Sequence, residues 1–154
     1  MVKRLTSVTR RDFRVLVSTL MIGIILGSTT VALAATVNGN WFYYGPVNGY
    51  YYQNQATVVT PSTGGVYAGT WVQNQNSGNV PAGYMGAFSR LYTSNGVQVE
   101  NSSWNYNSTA AYEIGQNTPF DYTNGTYYSV GATAAYNGNG YTTYQTYQSP
   151  DLTY

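Results

Sequence analysis

The chain has 154 residues, among them 18 tyrosines and 17 glycines but no cysteine or histidine, and only 7% of it is charged. Lys3, Arg4, Arg10, Arg11 and Arg14 hold all but one of its basic charges, so from Thr36 onward Arg90 alone faces Glu100, Glu113, Asp121 and Asp151, a formal balance of −3. One arginine cannot displace counterions from a phosphate backbone, which argues against nucleic acid and against an anionic membrane surface as partner. Without His, Cys or Lys after residue 35, the usual general bases, thiolate nucleophiles, Schiff-base lysines and nitrogen or sulfur metal ligands are missing as well.

The first segment reads as an export leader: a basic stretch from Lys3 to Arg14, an apolar run from Val15 to Leu26, then small residues ending in Ala32-Leu33-Ala34, an A-x-A cleavage pattern. Ser18 and Thr19 interrupt the run and Gly27 to Thr30 close it, which leaves it short for a membrane span. Residues 1–35 are therefore expected to be a signal peptide, leaving a secreted domain over 36–154 with no stable span after cleavage. Thr9-Arg10-Arg11-Asp12-Phe13-Arg14 resembles the twin-arginine export signal, while general secretory leaders are basic too, so both routes stay open. With no disulfides, stability in an exported domain must come from packing and backbone hydrogen bonds, and about 120 residues suffice for a single core.

Tyr, Trp, Val and Thr recur after the leader in short runs punctuated by Asn, Gly and Pro, a pattern of strands and turns that disordered chains lack. The first run is Trp41 to Tyr44, ended by Gly45-Pro46; the second is Tyr50 to Thr60, ended by Pro61 to Gly65. In the third, Val66 to Gln73, period-2 geometry places Val66, Ala68, Thr70 and Val72 on one face and Tyr67, Gly69, Trp71 and Gln73 on the other. Both of these faces carry apolar bulk, the pattern of a strand covered on two sides.

Tyr84 to Thr93 and Val97 to Asn101 flank Ser94-Asn95-Gly96 as a hairpin. A two-residue turn pairs Leu91 with Glu100; a three-residue loop with Gly96 left-handed pairs Leu91 with Val99 and Arg90 with Glu100. The second register is favoured, because it groups Leu91, Val97 and Val99 and sets the lone cation beside a carboxylate. Ala110 to Ile114 and Phe120 to Tyr122 are the next strand candidates, separated by a turn at Asn117-Thr118-Pro119, with a further turn at Asn124-Gly125. A last hairpin joins Tyr127–Tyr136 to Tyr141–Tyr147 through Asn137 to Gly140, residues that tolerate positive φ. About seven or eight antiparallel strands in one small domain predict an all-β, sandwich-like fold.

The carboxylates give weak support to catalysis. A glycosidase needs two acids across a sugar, and Glu100 and Glu113 are the only glutamates; the favoured hairpin uses Glu100 as partner of Arg90. Asp121 with Asn124 reads as a turn before it reads as a calcium site. No catalytic residue, cofactor or metal is expected.

The aromatic residues carry the functional expectation. Flat apolar faces with polar edges, flanked by Asn, Gln and Thr, suit stacking on sugar rings with hydrogen bonds to their oxygens. Trp41, Trp71, Trp104 and the run Tyr50, Tyr51, Tyr52 are the contact candidates, with Asn54, Gln55, Asn74 and Gln75 as polar partners. On a strand Tyr51 points opposite to Tyr50 and Tyr52, so the run presents tyrosine on both faces. The expected partner is a cell-wall or exopolysaccharide glycan outside the cell. Low charge, high β-propensity and abundant Asn, Gln and Tyr also allow self-association in an extracellular matrix.

Trp41, Gly45, Tyr50 to Tyr52, Ala56-Thr57-Val58-Val59, Thr63-Gly64 and Ala68-Gly69-Thr70-Trp71 give residues 37–72 a resemblance to the lactococcin-type secreted bacteriocins. The resemblance implies a small two-sheet β-sandwich that blocks wall synthesis in related bacteria by binding a wall precursor.

Overall fold

A computed structural model describes residues 34–154. The signal peptide expected over 1–35 therefore lies outside the described residues, save for its last two. The described chain is all antiparallel strand: β1 (Ala35–Asn38), β2 (Phe42–Val47), β3 (Tyr50–Thr60), β4 (Tyr67–Asn74), β5 (Met85–Phe88), β6 (Arg90–Thr93), β7 (Gln98–Asn101), β8 (Asn105–Tyr106), β9 (Glu113–Asn117), β10 (Thr126–Ser129), β11 (Ala132–Tyr136), β12 (Tyr141–Gln145) and β13 (Leu152–Thr153). This count exceeds the expected seven or eight because the runs Tyr84–Thr93 and Tyr127–Tyr136 are each broken in two and because β1, β8 and β13 lie outside the expected runs.

One layer is a five-stranded sheet in which β3 pairs with β4, β4 with β9, and both β1 and β2 with the other edge of β3. β3 occupies the expected span, Tyr50–Thr60. β2 runs past Gly45-Pro46, where the strand was expected to stop. The pairing instead shifts between Tyr44 and Val47, and the chain reverses at Asn48-Gly49 with φ of 48° and 85°. Positive φ at both central residues makes the twist of such a two-residue turn match its strands. The strand expected at Ala110–Ile114 begins three residues later as β9, with Ala111 held by a bridge to Val80, and Phe120–Tyr122 contributes only a bridge from Asp121 to Val66.

The other layer consists of two four-stranded halves, β13-β10-β6-β7 and β12-β11-β5-β8. Ser89 separates β5 from β6, and Val130-Gly131 separates β10 from β11, so the two central strands bend at one level. Hydroxyl groups replace the interrupted ladder there: Ser89 N donates to Ser102 Oγ at 2.9 Å, Gly131 N to Thr146 Oγ1 at 2.9 Å and Ser129 N to Ser149 Oγ at 2.9 Å. A buried backbone N–H needs such a partner wherever strand pairing fails.

The core between the layers falls into two apolar clusters. Tyr44, Tyr52, Val72, Val80 and Met85 anchor one, Val58, Val66, Ala68, Leu91 and Tyr127 the other. A polar band crosses the core at the level of the bend. Asn54 Nδ2 donates to Thr133 Oγ1 at 2.7 Å, Tyr44 Oη lies 3.0 Å from the same oxygen, and Ser89 Oγ donates to the Gln116 carbonyl. Gly131 sits directly over the side chain of Thr70, so closely that a Cβ there would overlap it.

The Ser94-Asn95-Gly96 loop has the expected three residues, with Gly96 at φ 85° and Thr93 N bonded to the Val97 carbonyl at 2.9 Å. The favoured register nevertheless fails one step further on. A bulge at Val99 moves the pairing from Tyr92 with Gln98 to Leu91 with Glu100 and Arg90 with Asn101. Arg90 therefore does not face Glu100, and Val97 and Val99 are exposed while Leu91 is buried. The run Val66–Gln73, most of it β4, is covered on one side only: Val66, Ala68, Thr70 and Val72 are fully buried, whereas Trp71 on its other face is 41% exposed.

Candidate functional site

The outward residues of the five-stranded sheet form three adjoining rows. The register aligns Asn38, Thr57 and Gly69 in one row, Gln55, Trp71 and Gly115 in the next, and Gln53, Gln73 and Glu113 in the third. Trp41, which leads into β2, closes the end beyond Gln55. Together Trp41, Trp71, Gln55, Gln73, Asn38 and Glu113 line most of an open groove of about 290 Å³, with Thr57 at its floor.

The glycine opposite Trp71 explains the groove's shape. A Cβ on Gly115 would lie 2.7–3.0 Å from the six-membered ring of Trp71, and the indole Nε1 reaches toward Gly69. The indole therefore lies flat on the β9 backbone, one face seated and the other turned outward. Gln55 is held as well, its Nε2 donating to the Gly39 carbonyl at 2.8 Å, which leaves its amide oxygen as an acceptor. A flat aromatic face ringed by amides, a hydroxyl and one carboxylate can stack on an apolar ring face and hydrogen-bond the polar groups around that ring's rim.

The structure thus brings together two of the residues singled out from sequence, Trp41 and Trp71, and separates the other four from them. Tyr52 is 0% exposed and stacks on Tyr44 at 5.5 Å inside the core, so it has no surface to offer a partner. Tyr50 is half-buried and packs edge-on against Tyr84 at 5.6 Å. Tyr51 is exposed on the groove's side of the sheet, outside the groove lining. Trp104 stands on the opposite layer, stacked on Phe88 at 5.4 Å. Of the polar candidates only Gln55 reaches the groove. Asn54 points into the core, Asn74 donates to the Gly78 carbonyl, and Gln75 binds the carbonyls of Tyr44 and Tyr52.

Gln73, Glu113, Asn38 and Thr57 were not singled out by sequence as groove residues. Period-2 alternation places Gln73 beside Trp71 on one face, but the neighbours on β1 and β9 follow only from the pairing of strands distant in sequence. No family model, curated protein or solved structure matches the chain.

Proposed function

We propose that this is an exported, non-catalytic binding protein that holds a glycan of the bacterial cell wall or of an exopolysaccharide in the Trp41–Trp71 groove. The observation that carries this reading is the indole of Trp71, seated flat on Gly115 with amide side chains at its margins. Glycan rings have one apolar face and a rim of hydroxyl or amide groups, the complement of that arrangement. Glu113 is the one carboxylate lining the groove, and Glu100 belongs to β7 in the other layer. Hydrolysis of a glycosidic bond requires two acids on opposite sides of it, so a lone carboxylate supports binding over turnover.

The test is a pull-down of the purified protein with isolated Gram-positive cell walls, competed by soluble wall sugars. Saturable, competable binding is expected, weakened about tenfold or more by W71A, a loss equivalent to about 1.4 kcal/mol. Binding that W71A leaves intact would sink the groove as the site. The lactococcin-type resemblance suggests a second use of the same surface, since Trp41 and Trp71 are among the residues that carry it: occupation of the glycan part of a wall precursor. Growth inhibition of a related strain, abolished by W71A, would favour that use over simple wall attachment.

A further inference from the structure

The groove leaves the opposite outer face of the molecule unexplained. There Phe88, Arg90 and Tyr92 alternate outward between the buried residues Ala87, Ser89 and Leu91. Tyr92 stacks on Tyr128 at 5.2 Å with 8° between the rings, the guanidinium carbon of Arg90 lies 5.8 Å from the centre of the Phe88 ring, and Phe88 stacks on Trp104. Trp104 continues to Tyr106 at 5.8 Å, and that tyrosine lies over Gly86. A ribbon of mutually stacked aromatic rings thus crosses this layer, with Trp104 and Tyr106 its exposed members, interrupted once, by the only basic side chain after Arg14.

The bulge at Val99 gives that cation its significance. An unbulged three-residue hairpin would place Glu100 beside Arg90, but the shifted register sets Arg90 opposite Asn101, and among the described residues no carboxylate forms an ion pair with it. Arg90 Nε instead donates to the Val130 carbonyl at 3.1 Å, which fixes the plane of the guanidinium. Its two terminal nitrogens then form the end of a fork, the geometry that receives a carboxylate through two parallel hydrogen bonds. Aromatic rings flank that fork along the strand, Phe88 before it and Tyr92 after it, so the ligand that suits the ribbon carries its charge on a ring that can pack beside them. A uronic acid is built this way, with its carboxylate on the pyranose. A glycerol phosphate chain has the charge but no ring face.

We propose that the ribbon centred on Arg90 is a second carbohydrate site, selective for a uronate-bearing polysaccharide, and that the protein is bivalent, with neutral wall glycan on one face and acidic polysaccharide on the other. This extends the glycan-binding reading but stands on different residues from the groove.

The test measures binding of the purified protein to polygalacturonate, with dextran as the neutral control and poly(glycerol phosphate) as the phosphate control. Polygalacturonate is expected to bind and to weaken as salt rises. R90Q should weaken it about tenfold or more and R90K partially, since lysine keeps the charge without the fork. W104A, which leaves the charge in place, should also weaken it. All three variants should stay folded and keep the wall-sugar binding of the parent, W104A with a lower melting temperature because it removes the stack between Phe88 and Tyr106. W71A should do the converse, and only the parent should turn a mixture of polygalacturonate and wall fragments turbid. Equal binding of polygalacturonate by R90Q and parent would overturn the proposal, as would tighter binding of poly(glycerol phosphate), joint loss of both ligands in R90Q, or a ribbon occupied by a second copy of the chain in sedimentation. Loss of the groove site alone, with polygalacturonate binding intact, would sink the groove and with it the bivalency, and leave the Arg90 site standing.

Discussion

The two layers enclose the same core but solve the problem of covering it differently. The five-stranded layer is built on β3, eleven residues without a break, and its ladder runs intact from Tyr52 to Val59 against β4. The opposing layer bends at Ser89 and Gly131, and side-chain hydroxyls of Ser102, Thr146 and Ser149 serve the backbone there. The continuous layer presents a broad, flat outer face on which a groove can form. The bent one brings its backbone down onto Thr70 and leaves a narrow aromatic ribbon outside. Sheet continuity therefore governs which surface each layer can offer.

If the bend exists because the layers touch at Gly131, filling that contact should be the most damaging small change in the molecule. A methyl at Gly131 meets the side chain of Thr70, and overpacking of this kind costs about 3 kcal/mol. G131A is expected to lower the stability measured by urea unfolding by that amount, and T70A in the same chain should recover part of it, because it removes the two nearest atoms but leaves a Cβ 2.8 Å from the new methyl. A double variant no better than G131A alone would mean that the glycine is needed for its backbone and not for the contact.

The hydroxyls of the bent layer are the next point of comparison. Thr146 Oγ1 accepts from the buried Gly131 N–H, so T146V strands that donor and should cost about 2 kcal/mol. The outward Thr36 of the continuous layer should change to valine within about 0.5 kcal/mol. Equal costs at the two positions would remove the distinction between the layers. Closer to the surface, Gly96 holds φ 85° in the β6–β7 loop, and G96A is expected to cost about 1 kcal/mol in the same assay.

The legibility of the sequence follows the same division. β3, the turn after it and the division of β4 into two faces could be read from alternation and punctuation alone, since each depends on neighbours in sequence. The bend could not. Gly131 within an otherwise regular strand pattern is the one local sign of close backbone approach, and it has meaning only once Thr70 is known to lie beneath it. The bulge at Val99 leaves no mark in composition, which is why Arg90 and Glu100 are a natural pair in sequence and are not paired in the fold. Trp71 was legible as a residue of the face opposite Val72, but that this face lies open was not, and its groove depends on Gly115 arriving from β9, 44 positions further along by the numbering.

The smallest neutral-pH effect tests whether the two halves of the core are equivalent. Tyr52 has a buried hydroxyl with no hydrogen-bond partner, so Y52F should change stability at pH 7 by no more than about 0.5 kcal/mol. Alkali should make the same substitution visible. Burial, followed by the neighbouring Tyr50 and Tyr84, pushes the Tyr52 hydroxyl from 10.0 up to about 12. Burial likewise raises Tyr44, beyond what its hydrogen bond to Thr133 takes back. Below pH 10 both chain states keep these protons. Above it the unfolded chain releases them while the folded chain retains them, so stability falls with rising pH, by about 1.4 kcal/mol per pH unit for each such tyrosine, until for Tyr52 the folded group also ionises near pH 12. Both residues belong to the Met85 half of the core, so that half should be the first to yield to alkali. Urea midpoints followed from pH 8 to 12 should therefore decline less steeply in Y52F than in the parent; parallel curves would show that Tyr52 keeps an ordinary hydroxyl and that its half of the core carries no special alkaline sensitivity.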